Sequence, residues 1–514
     1  MMSASTIYSP GDIHLLKVYW LWTLLIMGIL SVPLNRFDEA QLVLESPLPD
    51  GHRPASLPVQ NPTKSFWIDT SGANPLAKEG SAGDLTPDAD VCIIGSGITG
   101  VSAAYHLAKA TNASDSNSGL KVVILEARDF CSGATGRNGG HLTPAAFLDF
   151  TLAQAAHGTD EAIRSLGLEQ YTVAEIVKIL EEKDVAEAVD LVAGGHTTML
   201  FTDAELEQAK RDFEAAKNAG VDLSDVEWIS REEMETRFGA SFPGFHFPSY
   251  NLWPLKLVTE LYRKASKLTS LHLHTNTPVE KITSIPANGS RAFRRWSLHT
   301  GRGKVACSYV IHATNAYASH LLPHMSGPEG IVPTRGQIVA IRADAPSSKL
   351  SKASWDGNEG FEYWFPRPVS SADETPLVIL GGGREAGSKF EYYETDDSSV
   401  NEAVGQALRG FLPSVFPKLY TRGKDPEMEW TGIMGYTSMR DPFVGPVLRP
   451  GGNNDEFEGQ YIAAGYTGHG MPRAFACAEA VSQMVMAKVM GNEWVRPNWF
   501  PERYLTWKRY ITSK

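Results

Sequence analysis

A chain of 514 residues is too long for one small core, so two domains, or three with a separate tail, are expected. Its 42% hydrophobic and 21% charged residues are those of an ordinary globular protein, and a net charge of -12 excludes a basic nucleic-acid footprint. Cys92, Cys131, Cys307 and Cys477 show neither C-x-x-C nor metal spacing. They are read as structural thiols, with no disulfide framework and no metal site.

In chain order, the first feature is Val18 to Leu34, uncharged and nearly all apolar. At about 17 residues it is near the lower limit for a spanning helix. Three readings stay open: a membrane anchor, a signal peptide cleaved near Ser31, and a misassigned start. The first two imply a membrane or secretory location, the third a cytoplasmic one. Sequons at Asn112 and Asn288 suit a secretory route without deciding it. Residues 35–88, rich in Pro, Ser, Gly and Asp, read as a linker, with Phe66 and Trp67 pinning it to a domain.

The rest of the chain is organised around the stretch from Asp88 to Gly100. Val91, Ile93 and Ile94 form a strand buried on both faces, and Gly95, Gly97 and Gly100 supply G-x-G-x-x-G before a helical pattern. Strand, glycine turn and helix in that order are the context of a dinucleotide site. Gly95 makes the turn, Gly97 admits a pyrophosphate, and Gly100 lets helix and strand pack. Ser96, Ile98 and Thr99 complete the turn at the positive end of the helix. KVVILEAR then forms the second strand, with Glu126 at its end, where a ribose hydroxyl is bound in this fold. The glycine-rich run Cys131 to His141 comes next, in which Arg137 and Asn138 offer donors.

Residues 151–255 open with amphipathic helices whose charge runs read as solvated faces. Phe245 to Pro254 is aromatic and suits a pocket or a core. A strand ends in TPVEKI, and another, CSYVIHATNAY, leads into Ala313, Thr314 and Asn315. Tyr363, Trp364 and Phe365 stand in a row, and PLVILGGGRE is a strand ending at Arg384. YIAAGYTGHGM opens a helix that can stabilise negative charge, with His469 beside it. The tail from Asn492 is basic and aromatic, suited to packing or to a membrane surface.

IIGSGITG, ILEAR and GATGRNGGH, with VIHATNAY, VPTRGQ, EWTGIMGYTSMRDPFVGP and YIAAGYTGHGM, resemble the FAD-dependent oxidoreductase family of D-amino-acid oxidase, glycine oxidase and sarcosine oxidase. The similarity is nearest to the branch containing gamma-glutamylputrescine oxidoreductase and covers roughly 57–491. The resemblance implies an α/β fold: a Rossmann-type FAD-binding domain with an inserted α+β substrate domain built on an antiparallel sheet. It assigns 57–150, 256–330 and 426–491 to the first and 151–255 and 331–425 to the second. Residues 1–56 and 492–514 are left as an N-terminal segment and a tail. The implied FAD contacts are the turn from Gly95 to Gly100; Glu126, Ala127 and Arg128; Thr135, Gly136, Arg137, Asn138, Gly139 and Gly140; Val279, Ala313 and Thr314; and Gly465, Thr467, Gly468, His469 and Gly470.

The resemblance implies oxidation of a carbon–nitrogen bond in an amine or amino acid by hydride transfer, followed by hydrolysis of the imine. Tyr363, Arg384, Tyr436 and His469 are the candidate catalytic residues. Arg335, Arg384 and Trp430 are candidate substrate contacts: the arginines for a carboxylate, the aromatics for an amine. Relatives with covalent flavin carry a cysteine where Met434 stands here, so non-covalent FAD is expected. A lysine that promotes the reaction with oxygen is replaced by the apolar Leu377 to Leu380, which leaves O2 or another acceptor open. Two other readings are a pyridine-nucleotide dehydrogenase and a membrane-tethered flavoprotein that acts by interaction.

Overall fold

The computed structural model describes residue 30 and residues 32–48, 51–113, 119–181, 185–286, 294–451 and 454–509. Most of the Val18 to Leu34 segment, Ser114 of the first sequon and the whole second sequon lie outside the described residues. Among the described residues, no helix is long and apolar enough to cross a membrane.

Two eight-stranded sheets carry the molecule. In the first, Asp88–Ile94 lies between Lys121–Leu125 and Gly303–His312, parallel to both. Gln460–Ala464 and Ser270–His274 extend this parallel core on either side. The first half of Gly303–His312 instead pairs with the antiparallel Trp296–Thr300, which pairs in turn with Val279–Ser284. Val91, Cys92 and Ile93 are fully buried, as a central parallel strand requires. Helix Ile98–Ala113 packs on this sheet beside helix Met471–Val489, and the Ser482 hydroxyl donates to the Ala103 carbonyl at 3.1 Å.

The second sheet runs Met428–Tyr436, Val332–Arg342, Leu377–Gly382, Glu362–Pro366, Ser354–Gly357, His196–Met199, Gly244–Phe247, Glu227–Ile229. It is antiparallel except where Ser354–Gly357 meets His196–Met199. Period-two alternation divides its central strands between two cores. Val339, Ile341, Val378, Leu380 and Trp364 face helix Glu402–Val415, with Leu408 and Phe411 against them. Ile338, Ala340, Ile379 and Phe365 join the core of the first sheet. The two units therefore share one hydrophobic core along this sheet. The α/β architecture with an inserted antiparallel sheet is as the sequence implied. The block expected from 426 onward in the first unit divides, however: Met428–Tyr436 pairs with Val332–Arg342, while Phe443–Pro446 joins Gln460–Ala464.

Several sequence expectations are revised. Residues 35–88 are not bare linker, since Phe37–Glu45 and Phe66–Asp69 are helical. Phe37, Ala40 and Leu44, at helical spacing, were the signal. Cys92 and Cys307, read as separate thiols, form a disulfide between neighbouring strands; Cys131 and Cys477 are free and buried. The charged helix Asp203–Asn218 is not wholly a solvated face. Its Asp212 is buried, accepting from the Asp149 and Thr151 amides at 3.2 and 2.8 Å. Phe245 is core, 4.6 Å from the Phe147 ring. Tail residues Phe500 and Tyr504 are fully buried, and Arg503 pairs with buried Asp441 at 2.6 Å.

One buried carboxylate ties the helical insert to the first unit. Glu169, on helix Thr159–Glu181, accepts from Arg473 Nε at 2.7 Å and the Ala145 amide at 2.7 Å, and lies 3.0 Å from His469 Nε2. Burial opposes its ionisation, but the His469 and Arg473 charges outweigh it and bring its pKa from 4.5 down to about 2. A depressed folded-state pKa gives stability that is present above the ordinary value and lost as pH falls through the folded one. Unfolding free energy measured between pH 6 and 2 is expected to fall from pH 4.5 to about 2 in the parent, with that component absent in Glu169→Gln. Gly100→Ala is expected to cost at least about 2 kcal/mol in denaturant unfolding, because its Cβ would overlap the Gly95 carbonyl oxygen.

Candidate functional site

The glycine turn has the close approaches that its motif requires. Gly95 has φ +106°, and a Cβ there would lie 2.6 Å from the Ala313 carbonyl oxygen. One on Gly97 would lie 3.1 Å from Thr135 Oγ1. Ala313 is held by its amide donating to Ile94 O at 2.9 Å, which brings the end of Gly303–His312 against the turn. Glu126 closes the other side. One carboxylate oxygen accepts from the Ser96 amide and hydroxyl at 2.9 and 2.8 Å, the other from the Arg128 amide at 3.0 Å. Ile98 N donates to Thr135 Oγ1 at 3.0 Å, so the glycine-rich run and the helix start are joined directly. Thr99 Oγ1 meets the Tyr466 hydroxyl at 3.0 Å. Val279 is buried at the start of its strand.

The run from Thr135 to Gly140 is clamped by two indoles, one of them held by a third. Trp67 Nε1 donates to Asn138 O at 2.6 Å, Trp430 Nε1 to Arg137 O at 3.0 Å, and Trp253 Nε1 to Trp67 O at 2.9 Å. Trp430, expected against substrate, is therefore a fully buried support for this loop. The side chains of Arg128 and Arg137 turn toward buried Asp397. Arg128 Nη1 contacts both carboxylate oxygens at 2.9 and 3.0 Å, and Arg137 Nε lies 3.6 Å from one. Arg137 also donates to Ser132 O and Thr431 O at 2.9 Å each. Burial lowers its pKa to about 10, with Asp397 opposing the shift. Thr63 adds a fourth segment, its amide donating to Asp397 O at 2.7 Å. Asp397 sits in an acidic run that reads as surface; nothing local to it signals burial between arginines.

Tyr363, Arg384 and Tyr436, far apart in sequence, come together. The Arg384 guanidinium lies 4.8, 5.2 and 5.7 Å from the ring centres of Tyr436, Phe361 and Tyr392. Arg384 Nη1 donates to Phe390 O at 3.2 Å, and among the described residues Arg384 has no ion-pair partner. Tyr363 packs between Gly139 and Gly381; a Cβ on Gly139 would run into its ring. Burial pushes the Tyr363 phenol well up, so it is a neutral donor. Tyr436 extends the other way, its hydroxyl 2.8 Å from where a Gly468 Cβ would be. Gly465 N donates to Asn315 Oδ1 at 3.0 Å and Thr467 N to Gly435 O at 2.8 Å, which fixes the turn before helix Met471–Val489.

Arg335 is engaged elsewhere. It pairs with Glu391 at 2.6 Å, so its charge is already matched. His469 is partly exposed and turned to Glu169. His141 is buried, which lowers its pKa to about 4, and it contacts the Tyr363 and Phe365 rings edge-on. Sequence reasoning missed Asp397, Glu169, Tyr392 and Phe361. The last two lie beside residues that were singled out, whereas the carboxylates are recognisable only by their partners.

The sequence and the fold have counterparts. The family described as FAD dependent oxidoreductase (DAO) matches residues 90–484. The gamma-glutamylputrescine oxidoreductase of Escherichia coli K12 is 26% identical over 78% of this chain and 84% of its own length. The glycine oxidase of Bacillus subtilis is 22% identical, over 79% and 95% respectively. Among solved structures, glycine oxidase from Geobacillus kaustophilus superposes with a TM-score of 0.59 at 20% identity, over 80% of this chain and 97% of that one. An L-amino acid deaminase from Proteus myxofaciens gives 0.61 at 16% identity, over 88% and 98%. With the glycine turn, the loop that meets it and most of both sheets inside the matched span, the chain belongs to the DAO family of FAD-dependent oxidoreductases.

Proposed function

We propose that this FAD-dependent oxidoreductase of amines or amino acids takes a substrate bearing a carboxylate, and that Arg384 binds it. The observation that carries the reading is a guanidinium set among three aromatic rings with, among the described residues, no carboxylate at ion-pair distance; the neighbouring Glu385 acts on it only through space. A half-buried cation without a direct ion-pair partner is costly, and a bidentate carboxylate would offset that cost. Arg335, the other candidate, is already paired with Glu391, which favours Arg384.

The residues present fit FAD. The Gly97 N–H has no hydrogen-bond partner among the described residues and stands at a helix N-terminus, as a pyrophosphate contact requires. Thr314 Oγ1, one residue beyond Ala313, is likewise buried without a partner. Glu126 would hold the ribose, Gly95 to Thr99 the pyrophosphate, and the turn Gly465 to Gly470 the far end of the cofactor. What FAD supplies when bound is acceptance of a hydride from the carbon beside nitrogen. The chain orients that carbon through Arg384. Tyr363 and Tyr436 wall the space between Arg384 and the Gly139 and Gly468 turns, excluding water and favouring the neutral amine. His469 acts beside Gly468 as a donor steadied by Glu169. Met434 contributes no nucleophile at the position where relatives attach flavin, so we read the cofactor as non-covalent. The buried apolar strand Leu377 to Leu380 gives dioxygen no cationic aid, so we read another acceptor as faster.

The purified protein is expected to show flavin absorption, and acid precipitation to leave the flavin in the supernatant; colour retained in the pellet contradicts the non-covalent reading. Anaerobic mixing with a panel of amines and amino acids is expected to bleach the flavin only with carboxylate-bearing members. No bleaching by any of them favours a role in interaction over turnover. Arg384→Ala is expected to raise KM roughly a hundredfold for such substrates, with flavin content unchanged. Equal KM in parent and variant removes Arg384 from substrate binding.

A further inference from the structure

The box around Arg384 is built from three turns, and the same short segment touches all three. This segment, Val32 to Glu45, precedes the span matched by the family. Asn358 Nδ2 donates to Pro33 O at 3.0 Å, and Phe37 N donates to Glu359 Oε2 at 3.1 Å. Arg36 Nη1 donates to Glu385 O at 2.7 Å, with its guanidinium 4.8 Å from the Phe390 ring centre. Gln41 Nε2 donates to Ser438 O at 2.7 Å, and Arg440 lies over Phe37 at 4.5 Å. Ala40 and Leu44 are buried with Val332, Phe361, Phe390 and Tyr392, and Tyr436 packs against that cluster.

Each turn is strained where the segment meets it. Asn358 and Glu359 have φ +53° and +56°; Lys389, Phe390 and Glu391 have +49°, +55° and +59°; Arg440 has +62°. Left-handed backbone at non-glycine residues costs on the order of 1–3 kcal/mol each and persists only where surrounding contacts over-determine it. Phe361, Phe390, Tyr392 and Tyr436, which surround Arg384, hang on or beside these turns.

We infer that Val32 to Glu45 is a specificity-determining strap: by holding three strained turns it sets the shape of the Arg384 box, and so the affinity for the carboxylate-bearing substrate. The effect on affinity rests on the proposed role of Arg384; the effect on the box does not. The strap residues act through the turns and are positioning residues, so the strap governs KM and leaves the chemical step alone.

The test uses the full-length, flavin-loaded enzyme with Gln41→Ala, with the double variant Arg36→Ala/Gln41→Ala, and with Leu42→Ser as control, since Leu42 is exposed. Phenylglyoxal labelling of Arg384, followed by peptide mass spectrometry, reports the box independently of any substrate. Labelling is expected to be several-fold faster in the double variant, intermediate in Gln41→Ala and unchanged in the control. KM for the best amino acid is expected to rise roughly tenfold in the double variant, at constant kcat and flavin content. Arg36→Lys is expected to restore part of both effects. If the double variant fails to fold, Gln41→Ala alone decides. Labelling unchanged in a folded variant overturns the inference. Faster labelling with KM unchanged supports the strap and overturns the carboxylate reading of Arg384.

Discussion

Asp397 is a carboxylate with about 1% of its side chain exposed, set between Arg128 and Arg137. Burying a charge costs several kcal/mol unless it is paired and its lone pairs are filled. Here both oxygens meet Arg128, Arg137 stands beside them, and the Asp397 carbonyl accepts from Thr63. Asp397 and its three partners come from four places in the chain: the segment before the first strand, the end of the second strand, the glycine-rich loop, and, for Asp397 itself, the stretch following Leu377–Gly382. The loop carrying Thr135 to Gly140 is thereby locked at the height of the glycine turn, and the second sheet is locked to the first.

Around that lock the molecule is built in layers with a shared core. Alternation along Val332–Arg342 sends Val339 and Ile341 to one side and Ile338 and Ala340 to the other, so one strand serves both cores. The dinucleotide turn belongs to one sheet, and the aromatic box around Arg384 hangs on the edges and turns of the other. The distance between them is bridged by glycine contacts: Tyr363 on Gly139, Tyr436 on Gly468. A bulkier residue at either position would push the box away from the cofactor end.

Much of the proposed cofactor end was legible in the chain. Gly95, Gly97 and Gly100 follow a buried strand and precede a helix, and local sterics dictate that order wherever a backbone must approach a pyrophosphate. Glu126 at the end of the second strand, and the glycine-rich run after it, are readable for the same reason. The proposed substrate end was less so. Arg335 and Arg384 are equal candidates as residues; only the position of Glu391 separates them. Trp430 reads as a cage aromatic and proves to be a hydrogen-bonded brace. Residues 35–48 read as linker because a nine-residue helix is marginal alone; its Ala40 and Leu44 gain their meaning from the cluster that receives them.

The strand–turn–helix cradle is written in the sequence alone, because it depends on short-range periodicity and on glycine geometry; the two-unit α/β plan and the family are carried there by motifs that resemble a known family. Which of Arg335 and Arg384 is ion-paired, which carboxylates are buried, where Met428–Tyr436 pairs, and what covers the Arg384 box are settled only in the folded chain. Charge pairing and burial are properties of neighbours brought together from distant parts of the chain, and a residue's own flanks carry no record of them.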